Sequence, residues 1–317
     1  MAAFALPFEK PIVDLIARVR ELRELAERDA SLASELRQLE EQTAHLAREL
    51  FSSLTPWQKV QLCRHPARPY TLDYIEHITT DFLELHGDRR FGDDPAIVGG
   101  LARFRGQSVV VVGHQKGRST KEKVTRNFGQ ANPEGNRKAT RLYELADKFR
   151  LPILTFVDTQ GAYPGIGAEE RGQSEAIGAC LAAMARARVP IIATIIGEGG
   201  SGGALALGVA NHVLVQEYGT YSVISPEGCA SILWKDGSKS DLAAQAMKMT
   251  STDLLALGIV DRIVNEPPGG AHQDAYAAAK LVEASIAESL ATLCALSPEA
   301  IVEHRYARFR GLGAFVG

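Results

Sequence analysis

An apolar run of strand length, Val189–Ile196, leads directly into a segment in which five of seven residues are glycine, Gly197–Gly203. The run predicts a buried strand, and Ala204–Ala210 after the glycines predicts a helix. The glycines allow positive φ and let another group approach the backbone closely. Because a helix start leaves free N–H groups and a positive dipole end, this junction suits an anion or a charge that develops during a reaction.

The same order of strand, glycine-rich turn and helix occurs earlier in the chain. Pro152–Asp158 predicts a strand, Gly161–Gly167 a turn and Ala168–Arg188 a helix. Further strands are predicted at Ala96–Phe104, Ser108–Gly113 and His212–Glu217, with a helix opened by Pro133 and helices after residue 270. This alternation predicts an α/β domain, in which the two glycine turns face one ligand or two related half-sites.

Composition is that of an ordinary globular protein. Of 317 residues, 45% are hydrophobic and 23% charged, and the formal net charge is −3, which argues against a nucleic-acid partner. The apolar stretches are too short for a membrane helix, and no secretory signal is predicted. The cysteines are widely separated: Cys63, Cys180, Cys229 and Cys294. Their spacing predicts a reduced, cytoplasmic protein without a zinc knuckle.

Residues 8–50 contain no glycine and predict helices. Their leucines follow one helix stripe: Leu32, Leu36, Leu39, Leu46 and Leu50. Asp29-Ala30-Ser31 predicts a break between two helices. Two interpretations stay open here, an arm that pairs with another chain and a hairpin packed on the chain's own core.

The glycine segment fits three kinds of site. Gly197–Gly202 matches the dinucleotide pattern G-x-G-x-x-G, with Glu217 near the spacing of a ribose-binding acid, although it does not follow the first strand of the α/β region. In a second interpretation, the backbone N–H groups of Gly202 and Gly203 stabilise an oxygen that becomes negative in the transition state. Only this interpretation gives a role to so many glycines.

The third interpretation is a serine hydrolase. Gly199–Gly203 matches the nucleophile elbow G-x-S-x-G, with Ser201 as the nucleophile. An acid and then a histidine would have to follow, and the sequence offers Asp241, Asp253 and Asp261, then His272 and His304. The alternative for Ser201 is a small residue at a helix N-cap.

Several longer segments are distinctive. They are Glu84–Arg89 (ELHGDR), Ile97–Gly100 (IVGG), Gly113–Arg118 (GHQKGR), Gly161–Ile177 (GAYPGIGAEERGQSEAI), Gly197–Leu207 (GEGGSGGALAL) and Tyr221–Lys235 (YSVISPEGCASILWK). In these segments, its N-terminal helices and the loop Gly269–His272, the chain resembles the α subunit of the carboxyltransferase of bacterial acetyl-CoA carboxylase. It departs from the family pattern at Gln130, Gln160 and Asn136, where Met, Pro and Tyr are common.

The resemblance implies a crotonase-like (ClpP/crotonase) fold, a spiral of strand–strand–helix units with helices at both termini. It divides the chain into an N-terminal helical arm (1–65), a crotonase-like carboxyltransferase core (66–264) and C-terminal helices (265–317). The implied reaction moves a carboxyl group from carboxybiotin, carried on the biotin carboxyl carrier protein, to acetyl-CoA. The product is malonyl-CoA, at the first committed step of fatty acid biosynthesis.

The resemblance also implies partners. The active sites lie between this chain and a separate β subunit in an α2β2 complex, while ATP is used by the biotin carboxylase partner. No metal is expected in this chain. A serine hydrolase remains the alternative enzyme, and a non-catalytic scaffold for a biotin carrier is a third possibility.

Under the resemblance, Gly202 and Gly203 hold the ureido oxygen of biotin as the carboxyl group leaves. The residues expected to bind carboxybiotin are Gly161, Ala162, Tyr163, Gly165, Gly199, Gly200, Ser201 and Ser225. Lys116 and Arg118, in the basic segment Lys116–Arg126, are expected to contact CoA or another anion, the alternative being a solvated loop.

Three of these positions have structural alternatives. Packing next to a turn is an equal alternative for Tyr163, and a plain helix cap is one for Ser225. For Glu198, a hydrogen bond that orders the glycine segment is preferred to a ligand contact.

Overall fold

The computed structural model describes residues 4–313, in which α-helices surround one eight-stranded sheet. The strands are β1 Thr80–Glu84, β2 Ile97–Phe104, β3 Gln107–His114, β4 Ile153–Thr159, β5 Ile191–Gly200, β6 His212–Gln216, β7 Thr220–Ser222 and β8 Arg262–Val264. The helices are α1 Lys10–Ala26, α2 Ala33–Ser52, α3 Pro56–Cys63, α4 Thr71–Ile78, α5 Thr120–Thr125, α6 Pro133–Phe149, α7 Ile166–Glu170, α8 Gln173–Arg186, α9 Ser201–Leu205, α10 Pro226–Trp234, α11 Ser240–Ala246, α12 Ser251–Ala256, α13 Ala275–Leu293 and α14 Pro298–Arg310. The predicted α/β class is confirmed.

The sheet has the strand order β1-β2-β3-β4-β5-β6-β8, and β7 pairs with the end of β5. The first three strands are antiparallel, with a short turn between β2 and β3 and a longer connection between β1 and β2, and the remainder are parallel. The carboxyl ends of β4 and β5 are therefore neighbours at one edge of the parallel part, where binding sites of such sheets form. Each of these two ends leads into a glycine segment.

Both faces of the sheet are covered by helices. Successive side chains of β4 alternate between them, so Ile153 and Val157 lie in the cluster with α6 and α8, whereas Leu154 and Phe156 pack towards α4 and α13. Burial on both faces explains why the central strands are continuously apolar. The sheet thus forms a rigid support for the two glycine segments.

Two predicted elements differ from the structure. The helix predicted at Ala168–Arg188 is two helices, α7 and α8, because Gly172 between them has a φ of +81° that interrupts the helical path. The basic segment predicted as a loop contains α5, whose start is capped by Ser119 through the N–H of Glu122. Strands β1, β7 and β8 were not predicted from the sequence.

The N-terminal helices form a hairpin that packs on the chain itself. Asp29 accepts a hydrogen bond from the N–H of Ser31 at the predicted break, 2.9 Å away. Ile12 of α1 and Phe51 of α2 are buried in one cluster with Tyr218 from beyond β6. This supports the hairpin interpretation, and pairing with another chain stays a prediction. The division at residues 65 and 264 also stays a prediction.

Among residues 4–313, no single helix is long and apolar enough to cross a membrane. Helices α13 and α14 taken together have the length and composition of a membrane span, but the pair is bent by 117°.

Candidate active site

Strand β5 carries most of the glycine segment. It continues to Gly200, and all ten of its residues are buried, so the prediction that the strand ends at Ile196 is wrong. The reason is an additional neighbour, because β7 pairs with Glu198–Gly200 and extends the ladder beyond the part that pairs with β6. The dinucleotide interpretation is wrong for the same reason, since its pattern needs a tight turn where the chain is extended.

The chain turns at Ser201, whose φ is +52°. Gly200 is the N-cap of α9, so the interpretation of Ser201 as the cap is wrong, and the helix is shorter than the predicted Ala204–Ala210. Gly202 and Gly203 lie in its first turn, where N–H groups have no acceptor within the helix. The N–H groups of Gly202 and Gly203 therefore lie at the end of β5, and their role as a pair of donors to an anion stays a prediction.

The two glycine segments meet at this point. A Cβ on Gly203 would lie 2.6 Å from the backbone nitrogen of Ala162, and one on Gly200 would collide with the carbonyl group of Gln160. Gly161 has a φ of +154° and makes this approach possible. Glycine is thus required here because two backbones touch. The two predicted turns lie side by side, and their binding of one ligand or of two related half-sites stays a prediction.

The first glycine segment is held by the Tyr163 ring and by side chains from α6 and α8. A Cβ on Gly165 would collide with the ring of Tyr163, so the tyrosine packs on its own turn, although about a third of the residue is exposed. The Tyr163 N–H donates to the Ala131 carbonyl oxygen over 3.0 Å, and Gln173 Nε2 donates to the Tyr163 carbonyl oxygen over 2.9 Å. Asn136 Nδ2 in turn donates to Gln173 Oε1, 3.1 Å away. The predicted packing of Tyr163 against its turn is confirmed, and ligand binding by Tyr163 stays a prediction.

Lys116 and Arg118 both form ion pairs within the chain. Lys116 Nζ lies 2.6 Å from Asp158 Oδ1, and Arg118 Nη2 lies 2.5 Å from Asp73 Oδ2 while its guanidinium stacks 4.7 Å above the Tyr70 ring. The Lys116 side chain is 16% exposed and that of Arg118 is 47% exposed. Arg118 is therefore the more accessible of the two to an anion.

Arg64 and His114, which the sequence alone did not assign to the site, contact residues that position the glycine segment. Arg64 lies 2.5 Å from Glu198 Oε1 and 2.6 Å from Glu227 Oε1, and thereby links α3 to β5 and α10. His114 is fully buried at the end of β3 and accepts a hydrogen bond from the Asp158 N–H at Nδ1, over 3.4 Å. Burial lowers the pKa of His114 to about 4, so the ring is neutral at pH 7. No local sequence signal indicates the partners of Arg64.

Glu198 and Ser225 both have structural roles: Glu198 orders the glycine segment and Ser225 caps a helix. The Glu198 carboxylate is 5% exposed and pairs with Arg64, so it holds the glycine strand in place. Ser225 caps α10, its Oγ accepting a hydrogen bond from the Gly228 N–H over 3.1 Å. Contact of Ser225 with a ligand stays a prediction.

The side chains that a serine hydrolase would need are engaged elsewhere. His272 Nε2 lies 2.7 Å from Glu9 Oε1, and the ring of His304 packs on His212 with centroids 5.6 Å apart. Of the candidate acids, Asp261 pairs with Arg308. The hydrolase alternative is therefore unsupported.

One cluster has metal-binding residue types: Glu9, His65 and His272, whose ligand atoms lie within 4.8 Å of one another. The Ala67 N–H donates to His65 Nδ1, so the neutral ring carries its proton on Nε2, which faces the Phe4 carbonyl oxygen 3.2 Å away. No lone pair of His65 is then free for a metal. The cluster instead joins the N-terminal segment to the loop before α13.

A largely apolar cavity of about 590 Å³ opens beside the turn. Ser201, Gly202 and Leu205 form one side of it, and Tyr221 and Arg308 contribute to the other. Its volume lies in the range of small-molecule binding sites. Gly202, one of the two predicted donors, thus borders a space that can hold a ligand.

Comparisons with known proteins agree with this geometry. The model of a family described as "Acetyl co-enzyme A carboxylase carboxyltransferase-like" matches residues 5–313. The chain is 67% identical over 317 residues to the acetyl-coenzyme A carboxylase carboxyl transferase subunit alpha of Sorangium cellulosum, covering 100% of both chains. It is 57% identical over 311 residues to the subunit of the same name from an Azoarcus species, covering 98% of this chain and 97% of the relative.

Solved structures show the fold. The transcarboxylase 12S chain has a TM-score of 0.59 at 22% identity, over 72% of this chain and 42% of that chain. A chain of a Pseudomonas malonate decarboxylase hetero-tetramer, solved with coenzyme A, has a TM-score of 0.57 at 19% identity, over 70% of this chain and 91% of that chain. These neighbours have the crotonase fold, so the predicted crotonase-like fold is confirmed.

Proposed function

Since the chain belongs to the family of acetyl-CoA carboxylase carboxyltransferase α subunits, we propose that its Gly202–Gly203 turn is the anion-stabilising part of the active site. The family membership makes the chain a component of the enzyme that carboxylates acetyl-CoA. The observation that carries this proposal is the close contact between Gly203 and Ala162, which leaves no room for a side chain. Such packing fixes the position of the Gly203 backbone before any ligand binds. Preorganised donors of this kind typically contribute ~10²–10³ in rate.

The residues around the turn fit carboxybiotin as the ligand. The cavity beside Ser201 and Gly202 has apolar walls for a bicyclic ring, and Gly202, whose N–H has no acceptor within α9, lies at its edge and matches a ureido oxygen. Carboxybiotin supplies an activated carboxyl group and, after transfer, a basic ring nitrogen. The N–H groups of Gly202 and Gly203 would hold the ureido oxygen while negative charge grows on it. Gly161, Ala162, Tyr163 and Gly165 do not line this cavity, and they would reach the ligand from the segment that contacts Gly203.

We propose that a separate β subunit completes the site, in an α2β2 complex. Apolar side chains stand exposed on the segments around the glycines: Ile166, Leu205, Val223, Ile232 and Leu233. Large exposed apolar patches mark contact surfaces, and we propose that the β subunit covers these side chains. Acetyl-CoA, with its acetyl group next to the turn, would then lie between the two subunits.

The remaining assignments are also proposals. A biotin carboxyl carrier protein would bring carboxybiotin, a biotin carboxylase partner would use ATP, and this chain would need no metal. Arg118, the better exposed of the two basic residues, keeps its predicted role as a contact of CoA or another anion, whereas the same prediction for Lys116 competes with its pairing to the buried Asp158 carboxylate. The cytoplasmic location rests on the widely separated cysteines.

The test replaces Gly203 by Val in the complex assembled with the β subunit. Carboxyl transfer should fall at least ~10²-fold while the two subunits still co-purify, because the added side chain displaces the N–H donors. Gly178→Ala is the matched control, since a Cβ on Gly178 in α8 meets no atom within 4 Å. Unchanged transfer by the Gly203→Val complex would remove the turn from the mechanism.

A further inference from the structure

Strands β4 and β5 lose their regular register next to the glycine segment. Val157 pairs with Ile195, but the next pair is Thr159 with Gly199. One residue of β4, Asp158, therefore faces three residues of β5. Such a bulge leaves backbone groups unpaired and redirects the strand, and bulges are frequent beside active sites. This one sets the direction of Gly199 and Gly200 and thus the point at which the chain leaves the sheet at Ser201.

The Asp158 side chain fills the bulge. Its Oδ1 accepts a hydrogen bond from the Glu198 N–H over 3.0 Å, and so satisfies a donor that has left the regular ladder. A Cβ on Gly197 would lie 2.5 Å from the same oxygen. Asp158 itself is 3% exposed. The shape of the bulge therefore depends on a buried carboxylate that occupies the space left by Gly197.

Lys116 balances the charge of that carboxylate. Its Nζ lies 2.6 Å from Asp158 Oδ1. Burial disfavours the charged ammonium, but the carboxylates of Asp158 and Glu198 outweigh this and raise the pKa of Lys116 above its usual value. A Cβ on Gly129 would lie 2.9 Å from Lys116 Cγ, so the lysine stem is packed as well as paired. Lys116 thus belongs to the interior of the site.

We infer that Asp158 and Lys116 are positioning residues, an ion pair that shapes the β5 bulge and thereby aims the Gly202–Gly203 donors at the ligand. The pair acts through Glu198, because Asp158 holds its N–H while Arg64 holds its carboxylate. Misplacing a catalytic group by about 1 Å can cost ~10²-fold in rate. The inference rests on the role proposed above for the glycine turn.

The test measures acetyl-CoA carboxylation by the assembled complex with three variants. Asp158→Asn keeps an acceptor oxygen but leaves the Lys116 ammonium unpaired, and Lys116→Met keeps the stem but leaves the carboxylate unpaired. We expect each to lower kcat 10- to 100-fold, with KM for acetyl-CoA within twofold. The double variant removes both charges and should regain at least half of the lost activity on a logarithmic scale, because neither charge is left buried alone.

Asp147→Asn is the matched control, since Asp147 pairs with Arg188, whose side chain is 64% exposed. Its kcat should equal that of the parent complex. If Lys116→Met does not fold, Lys116→Arg is measured in its place. Arginine keeps the positive charge but spreads it over a planar guanidinium, which cannot occupy the position of Nζ beside Asp158. The same loss of kcat is therefore expected.

Two results overturn the inference: a raised KM with unchanged kcat for Lys116→Met, which is the signature of a ligand contact, or a double variant no better than the single ones. Gly203→Val in the same assay separates the two proposals. If Gly203→Val is inactive while Asp158→Asn and Lys116→Met are fully active, only the positioning role fails. If Gly203→Val is active, the role of the turn fails.

Discussion

Arg64 Nη2 lies 2.5 Å from Oε1 of Glu198, and this ion pair attaches helix α3 to the strand that carries the glycine segment. Nη1 of the same guanidinium lies 2.6 Å from Oε1 of Glu227, at the start of α10. Burial opposes the charge of Arg64, but the hydrogen bonds to both carboxylates raise its pKa further above the usual value. One cation therefore couples three elements around the site.

Loss of Arg64 should destabilise the protein. Arg64→Met leaves the buried Glu198 carboxylate without its partner, and we expect the free energy of urea-induced unfolding to fall by about 3 kcal/mol. Adding Glu198→Gln should restore part of the loss, because the uncompensated charge is gone. Arg23→Met is the control, since its pair with Glu40 is exposed and should contribute less than about 1 kcal/mol. Equal losses of unfolding free energy for Arg64→Met and Arg23→Met would show that the buried ion pairs of Arg64 add no stability beyond that of an exposed pair.

Removal of the Ser201 hydroxyl should leave carboxyl transfer nearly intact. Ser201→Ala retains every backbone N–H group, so we expect kcat within about threefold of the parent. Ser201→Gly should be at least as stable as the parent, because glycine adopts the φ of +52° without strain. A hundredfold loss of transfer by Ser201→Ala would instead return a nucleophilic serine to consideration.

Arg118 should affect binding of the acyl-CoA rather than the chemical step. We expect Arg118→Ala to raise KM for acetyl-CoA about tenfold with kcat little changed, because a charge-assisted hydrogen bond contributes ~1.5–3 kcal/mol. An acetyl-pantetheine substrate, which lacks phosphates, should not distinguish the variant from the parent. Lys121→Ala, in the exposed start of α5, serves as control. Equal KM values for the parent and Arg118→Ala would contradict the contact.

Acid should destabilise the protein through buried histidines. Burial lowers the pKa of His65 and of His114 from 6.5 to about 4, so the folded state keeps both rings neutral while the unfolded state protonates them. The unfolded state thus binds more protons, and the free energy of unfolding falls as pH drops from about 7 towards 4. For His114 the loss approaches roughly 3 kcal/mol, since one pKa unit corresponds to about 1.4 kcal/mol.

The check is the pH dependence of urea unfolding in the parent and in His65→Gln, which lacks one of the two titrating rings. The variant should show a shallower fall in stability between pH 7 and pH 5. Parallel profiles would mean that His65 titrates alike in the folded and unfolded states.

The strands that frame the site were predictable because apolar runs bounded by Gly and Pro fix their place in the chain. β2, β3, β4 and β6 lie within one or two residues of their predicted bounds. The end of β5 was not predictable, because the three glycines in Gly197–Gly200 locally favour a turn. Their extended conformation comes from pairing with β7, which lies some twenty residues further along the chain. Tertiary pairing overrode the local signal.

The supporting side chains show the same limit. The sequence indicated Gly202 and Gly203 directly, because glycines between a strand and a helix have few other uses. It did not indicate that Lys116 pairs with Asp158 or that Arg64 reaches Glu198, since these partners are 42 and 134 residues apart. Charge alone suggested a ligand contact for Lys116, whereas the fold places the ammonium on a buried carboxylate.

The measurement that tests the central claim most directly is malonyl-CoA formation from acetyl-CoA and a carboxybiotin carrier, with this chain alone, the β subunit alone and both together. A shared site with the Gly202–Gly203 turn on this chain predicts product only when both subunits are present. Full activity with either subunit alone, or no activity from a correctly assembled pair, would contradict it.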